Sequence, residues 1–91
     1  MLGFETTAQF RKDYRRIEKR NYDLSLMDQV VQTLLEEKPL DPKHCDHYSL
    51  TGNYAGYREC HILNDWLLIY RVERENLVLI ATRTGTHSDL F

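Results

Sequence analysis

Ninety-one residues, 42% of them hydrophobic, are enough for one domain with a small core and too few for two. A formal net charge of -2 excludes a global pull toward nucleic acid or an anionic membrane, so any such contact must come from a local patch. Cys45 and Cys60 have no CxxC spacing, and there is no signal peptide or long apolar run, which predicts a reduced, cytoplasmic chain with no membrane segment.

Residues 2 to 5 suit an edge strand, after which Thr6 or Thr7 can cap a helix running to about Arg20. Phe10, Tyr14 and Ile17 then form one apolar stripe, and Arg11, Lys12, Arg15, Arg16, Lys19 and Arg20 occupy most of the remaining surface. That basic set reads equally well as a solvated helix face or as a surface that tracks phosphates. A second helix is expected from Ser25, with Asp28 near its positive end and Met27, Val30, Val31, Leu34 and Leu35 as its core stripe. Pro39 and Pro42 end it and open a loop to about Tyr48, which contains Lys43-His-Cys-Asp-His47.

Tyr57 to Leu63 and Trp66 to Val72 are runs of strand length joined by Asn64-Asp65, residues that tolerate the positive φ of a tight hairpin turn. A two-residue loop predicts Leu63 opposite Trp66 and His61 opposite Leu68. A second turn at Glu73 to Asn76 predicts Val72 opposite Leu77 and Trp66 opposite Arg83. In that register Cys60, Ile62, Leu67, Ile69, Val78 and Ile80 form a helix-covered core face. His61, Leu63, Trp66, Leu68, Ala81 and Arg83 form a site face, and a bulge or a one-residue slip would rearrange both. The order of elements implies an α+β domain over residues 1 to 91, an N-terminal strand and two helices packed on a small twisted antiparallel sheet.

The chemistry rests on the histidines. His61 faces the Trp66 and Arg83 end of the sheet, His87 follows Arg83 through Thr84-Gly85-Thr86, and His47 lies just before the segment that enters the sheet, with Asp65 at the hairpin tip. Imidazoles titrating near neutrality beside a carboxylate and an arginine can move protons while the guanidinium neutralises a phosphate, as RNA cleavage through a ribose 2′-OH requires. That mechanism needs no metal.

Leu50-Thr-Gly52, Gly56-Tyr-Arg58, His61, Asp65-Trp66-Leu-Leu-Ile-Tyr70 and Arg83-Thr-Gly-Thr-His87, ending in Leu90-Phe91, resemble the YafQ branch of the RelE toxin superfamily. Over residues 1 to 46 the resemblance rests on length and the two-helix pattern. It implies a RelE-like fold and the toxin of a type II toxin–antitoxin pair. Such a toxin is a ribosome-dependent endoribonuclease, an mRNA interferase, that cuts mRNA in the A site of the 70S ribosome and halts translation. It also implies a cognate antitoxin, commonly with a ribbon-helix-helix part, with operator DNA bound only through the toxin–antitoxin complex.

Carried over by position, His47, His61, Asp65 and His87 match the family's catalytic set, with Trp66, Arg83 and Phe91 beside them to bind substrate. The resemblance implies His87 as general acid on the leaving 5′-oxygen and His47 or Asp65 as base. Arg83 and His61 would steady the phosphorane charge, and Phe91 or Trp66 would stack a base. Tyr48 and Ser49 separate His47 from Leu50 where the family pattern has one residue, so His44 stays open as a substitute. Two other classes remain. One is a non-catalytic RNA-, ribosome- or protein-binding module of the same fold. The other is a metal-binding regulator using His44-Cys45-Asp46-His47 with His61, although that run lacks a regular structural zinc spacing.

Overall fold

A computed structural model describes residues 1–48 and 52–91, and Leu50 and Thr51 of the Leu-x-Gly segment lie outside them. Strand β1 (Gly3–Thr6) leads into helices α1 (Ala8–Lys19) and α2 (Leu24–Leu35). A short β2 (His47–Tyr48) lies between 3₁₀ turns at Pro42–His44 and Gly52–Tyr54. Strands β3 (Arg58–Leu63), β4 (Trp66–Glu73) and β5 (Val78–Gly85) follow, then a one-turn helix, α3 (His87–Leu90). Helix α1 begins at a Thr7 cap, as the sequence suggests, whereas α2 begins at Leu24, one residue before the expected Ser25, and is capped by Asp23. The Thr7 hydroxyl accepts from the Phe10 N–H at 3.0 Å, and the Asp23 carboxylate accepts from the Ser25 N–H at 3.1 Å, each satisfying a donor the helix leaves unpaired. Both end with a residue at positive φ, Asn21 at 62° and Glu37 at 57°. Tyr22 and Lys38 then donate back to the carbonyls of Ile17 and Thr33.

The sheet has the order β1-β5-β4-β3-β2. It is mixed rather than antiparallel throughout, because β1 lies parallel to β5, pairing Gly3 with Val78 and Thr6 with Ala81. Parallel neighbours need a long crossover, and the two helices and the meander between them supply it.

Two irregularities set which residues face which way. Leu63 does pair with Trp66, but Ile62 is an extra residue in β3, so His61 pairs with Leu67 rather than Leu68. In β5 Thr82 is extra, Val72 pairs with Leu79 rather than Leu77, and Arg83 lies opposite Ile69 rather than Trp66. Side chains alternate faces along a strand, so a slip of one residue inverts the assignment. Cys60 and Ile62 remain on the helix-covered face, where Trp66, Leu68 and Ala81 join them, contrary to their expected place on the site face. Leu67 and Ile69 move to the opposite face, where they pack with Leu90 of α3 and with Tyr54 and Tyr57. The sheet is thus apolar on both sides near its centre, with α1 and α2 over one face and the single turn of α3 over the other.

Candidate active site

The turn from β5 into α3 places the first two groups of the site. Gly85 has φ 151°, and a Cβ there would fall 2.9 Å from the Asp89 side chain, so glycine is the residue that fits. Thr86 and Asp89 then close a reciprocal cap. The Asp89 N–H donates to the Thr86 hydroxyl at 3.2 Å, and the Thr86 N–H to the Asp89 carboxylate at 2.9 Å. Leu90 is buried, 8% exposed, against Leu67 and Ile69, which turns His87 and Phe91 outward. Asp65, presented by the hairpin turn beside Asn64 (φ 35°), accepts the His87 backbone N–H at 3.1 Å. The same carboxylate oxygen also takes the His87 ring Nδ1–H. Hydrogen bonding to the His87 ring and then to its backbone holds the Asp65 carboxyl below the usual carboxylate range.

His61 projects from β3 on the same face, its ring 6.0 Å from that of His87. His47 pairs with Glu59 across β2 and β3, which sets it on that face too, with Nε2 3.5 Å from the Glu59 carboxylate and Nδ1 donating to the Tyr48 carbonyl at 2.9 Å. The segment just before His47 is anchored through Asp46, which accepts from the Tyr70 hydroxyl at 2.7 Å and pairs with Arg58 at 3.2 Å. His44 goes elsewhere. Its Nδ1 donates to the His61 carbonyl at 2.6 Å, and it borders a cleft on the α2 side with Leu26, Val30 and Ile62.

Phe91 is 58% exposed and stands between two rings, 6.2 Å from His87 and 6.0 Å from Tyr54, which meets it edge-on at 85°. Trp66 is not a partner in this arrangement. It is 4% exposed in the helix-side core, its indole N–H donates to the Thr84 hydroxyl at 2.9 Å, and Tyr22 meets it edge-on at 5.0 Å. The bulge at Ile62 brings this about, and the indole has no exposed face on which a base could stack. Arg83 is engaged by the protein itself. Its Nε and Nη2 donate to Asp13 at 2.7 and 3.1 Å and its Nη1 to the Tyr54 hydroxyl at 2.9 Å. The Asp13 bond, opposed by burial and aided by Tyr54, holds the guanidinium proton more tightly than in water.

The face therefore gathers His47, His61, Asp65, His87 and Phe91, and excludes Trp66. Glu59 and Tyr54 join it without having been anticipated, and so does the buried Asp13 of α1 as the partner of Arg83. Glu59 could have been found from period-2 alternation, two residues before His61. Asp13 could have been found as a carboxylate at helical spacing from both Phe10 and Ile17, on the stripe that faces the core. Tyr54 carries no such signal. Imidazoles beside carboxylates on an open face can donate and accept protons near neutrality. Among the described residues, no three His, Cys, Asp or Glu side chains are grouped to hold a metal ion. No helix there is long and apolar enough to cross a membrane.

An α+β domain with two helices packed on one face of a mixed five-stranded sheet is the RelE-like toxin fold, as comparison with known proteins bears out. Residues 2–91 match the family described as the bacterial toxin of type II toxin–antitoxin system, YafQ, and the chain belongs to that family. The mRNA interferase toxin YafQ of Escherichia coli (strain K12) is 35% identical over 88 residues, spanning 96% of this chain and 92% of that one. Among solved structures, a metal-bound toxin from Helicobacter pylori is 41% identical with a TM-score of 0.92, covering 100% of both chains. YafQ in the E. coli DinJ–YafQ complex is 33% identical with a TM-score of 0.87, covering 100% of this chain and 99% of that one.

Proposed function

We propose that this chain is an mRNA interferase, an endoribonuclease that cuts mRNA in the ribosomal A site and so arrests translation. The observation that carries this reading is the His87–Asp65 pair with His61 and Phe91 about 6 Å from the His87 ring. In the proposed reaction the ribose 2′-oxygen attacks the adjacent phosphorus, the P–O5′ bond breaks, and a 2′,3′-cyclic phosphate and a 5′-hydroxyl result. His87 donates the proton that the leaving 5′-oxygen takes up, with Asp65 holding the ring through Nδ1 so that Nε2 faces outward. His47, whose Nε2 is turned toward Glu59, takes the 2′-OH proton. His61 lies beside both steps and steadies the phosphorane charge. Phe91 stacks a base, while Arg83, already committed to Asp13 and Tyr54, contributes from behind. No metal enters this mechanism.

The ribosome supplies the rest of the alignment. Lys12, Arg15, Arg16, Lys19 and Arg20 line one open face of α1, and phosphates of ribosomal RNA fit that face although the chain as a whole is mildly acidic. Work on ribosomes places the protein in the cytoplasm. A cognate antitoxin of the ribbon-helix-helix type restrains it, and operator DNA is reached through that complex, since the toxin carries no DNA-reading motif of its own.

The test is inducible expression of the wild type and of His87→Ala in a bacterial host, with growth followed and mRNA 5′ ends mapped. Growth arrest with codon-phased cuts from the wild type alone is the expected result. A folded wild type that left growth and transcripts unchanged would overturn the reading.

A further inference from the structure

Arg83 has the residue type of a phosphate ligand but not the surroundings of one. Asp13, its partner, is fully buried, and its carboxylate is over-determined. Besides Nε and Nη2 of Arg83 it accepts from the Thr84 backbone N–H at 3.2 Å, from Gln9 at 3.1 Å and from Arg16 at 3.1 Å. The extra residue Thr82 in β5 aligns Arg83 with this carboxylate, and the side chain of Arg83 is only 17% exposed. A guanidinium neutralised by a buried carboxylate in fork geometry presents little net charge to a phosphate, and withdrawing it would strand a charge in the interior.

The third arm of the guanidinium points to a different use. Nη1 donates to the Tyr54 hydroxyl at 2.9 Å, and this is the sole side-chain hydrogen bond that fixes the Tyr54 ring among the described residues. The Tyr54 ring in turn makes a T-shaped contact with Phe91, and Phe91 lies beside His87. A continuous chain of contacts therefore runs from a carboxylate in the core, through a guanidinium and a phenol, to an exposed ring at the proton-transfer group.

We propose that Asp13, Arg83 and Tyr54 are positioning residues that aim Phe91 beside His87, where Phe91 stacks the nucleobase next to the scissile phosphate. This rests on the ribonuclease reading above and deepens it. An exposed phenylalanine just after a single helical turn can swing about χ1, and the T-shaped contact with Tyr54 holds it in one place. Stacking then delivers the neighbouring phosphate to His87 in a reproducible geometry.

The experiment is a double-mutant cycle on cleavage of ribosome-bound mRNA, with the wild type, Tyr54→Phe, Phe91→Ala and the double variant, each first checked for a cooperative melt. Tyr54→Phe keeps the ring and deletes only the hydroxyl that Arg83 holds, so its fold is preserved. Phe91→Ala is expected to slow cutting roughly 5- to 150-fold, the range for losing one stacked base, and Tyr54→Phe to lose part of that. In the Phe91→Ala background Tyr54→Phe should have no further effect, because its influence passes through Phe91. A second cycle with Arg83→Lys should behave the same way. A wild-type rate for Tyr54→Phe, or losses that multiply in the double variants, would overturn the proposal while leaving the ribonuclease reading intact. A wild type that does not cut on ribosomes would overturn both.

Discussion

One carboxylate oxygen of Asp65 accepts both the backbone N–H and the ring Nδ1–H of His87, residues that lie 22 positions apart. The first bond fixes the helix start and the second fixes the ring, so the hairpin tip and α3 act as a single support for the imidazole. Removing the ring with His87→Ala should cost roughly 10²- to 10⁴-fold in cleavage rate, the usual worth of a positioned acid or base. Asp65→Asn should fall between that variant and the wild type, because an amide still accepts the backbone N–H but no longer supports a protonated ring. The Asp65 carboxyl is held below its ordinary value, so its own titration lies beneath the neutral range. Rates from pH 6 to pH 8 should therefore show no limb belonging to Asp65. Equal rates for Asp65→Asn and the wild type in a ribosome cleavage assay would dissolve the pair as a functional unit.

Leu67 and Leu68 are adjacent, both fully buried, and belong to opposite faces of β4. Either one replaced by alanine should destabilise the domain by about 2–5 kcal/mol, through lost transfer free energy and the cavity left behind. Their effects on activity should differ. Leu68→Ala opens the core under α1 and α2, far from the histidines, and its folded fraction should cut normally. Leu67→Ala removes the floor on which Leu90 sits, so α3 and His87 lose their seat. Thermal melts and cleavage rates taken well below both midpoints separate the two. Normal cutting by folded Leu67→Ala would mean that α3 does not depend on this packing.

How far the fold and site could be seen beforehand is decided by these same strands. The Thr7 cap and the helical stripes are local, and local chemistry was enough to place both helices to within a residue, although the Asp23 cap ahead of Ser25 was not foreseen. The extra residues Ile62 and Thr82 have no sequence signature, since a bulge is chosen by how the finished sheet twists and packs. One unseen residue in β3 is why Trp66, Leu68 and Ala81 were expected on the wrong face. His61 kept its face because it precedes the bulge, and Asp65 and His87 were legible because a hairpin tip and a β5 extension converge whatever the register. The ties of Asp13 to Arg83 and of Tyr54 to Phe91 span long stretches of chain and depend on side-chain geometry that spacing does not encode.

The two cysteines make a chemical test of this topology. Cys60 is fully buried on the helix side, and burial, with the nearby Asp46 charge adding to it, pushes its thiol up to about 12, while Cys45 is exposed. The thiolate is the reactive form, so native protein treated with iodoacetamide at pH 8 should gain one label, on Cys45. A second label should appear only after denaturation. Peptide mapping before and after unfolding reads this directly. Labelling of Cys60 in the native state at a rate near that of Cys45 would contradict the helix-side placement of β3.

Asp89 ties α3 back to α1, accepting from Arg20 at 2.7 and 3.0 Å while it also caps its own helix through Thr86. The Arg20 bond, with burial opposing it and Thr86 adding to it, holds the Asp89 carboxyl well below the usual carboxylate range. A carboxyl depressed in the folded state adds stability above its unfolded pKa of about 3.9, and that stability is lost as pH falls toward the folded value. At pH 7, Asp89→Asn should therefore lower stability by about 1 kcal/mol, a modest figure because Arg20 remains in solvent and the amide keeps part of the cap. The gap between variant and wild type should close as pH is lowered from 5 toward 2, since protonation strips the wild type of the same interactions. It should also narrow at high salt, which screens the Arg20 pair. Denaturant melts across that pH series would show it. A gap that stayed constant down to pH 2 would mean that the carboxylate charge plays no part in docking α3, leaving the cap alone to hold it.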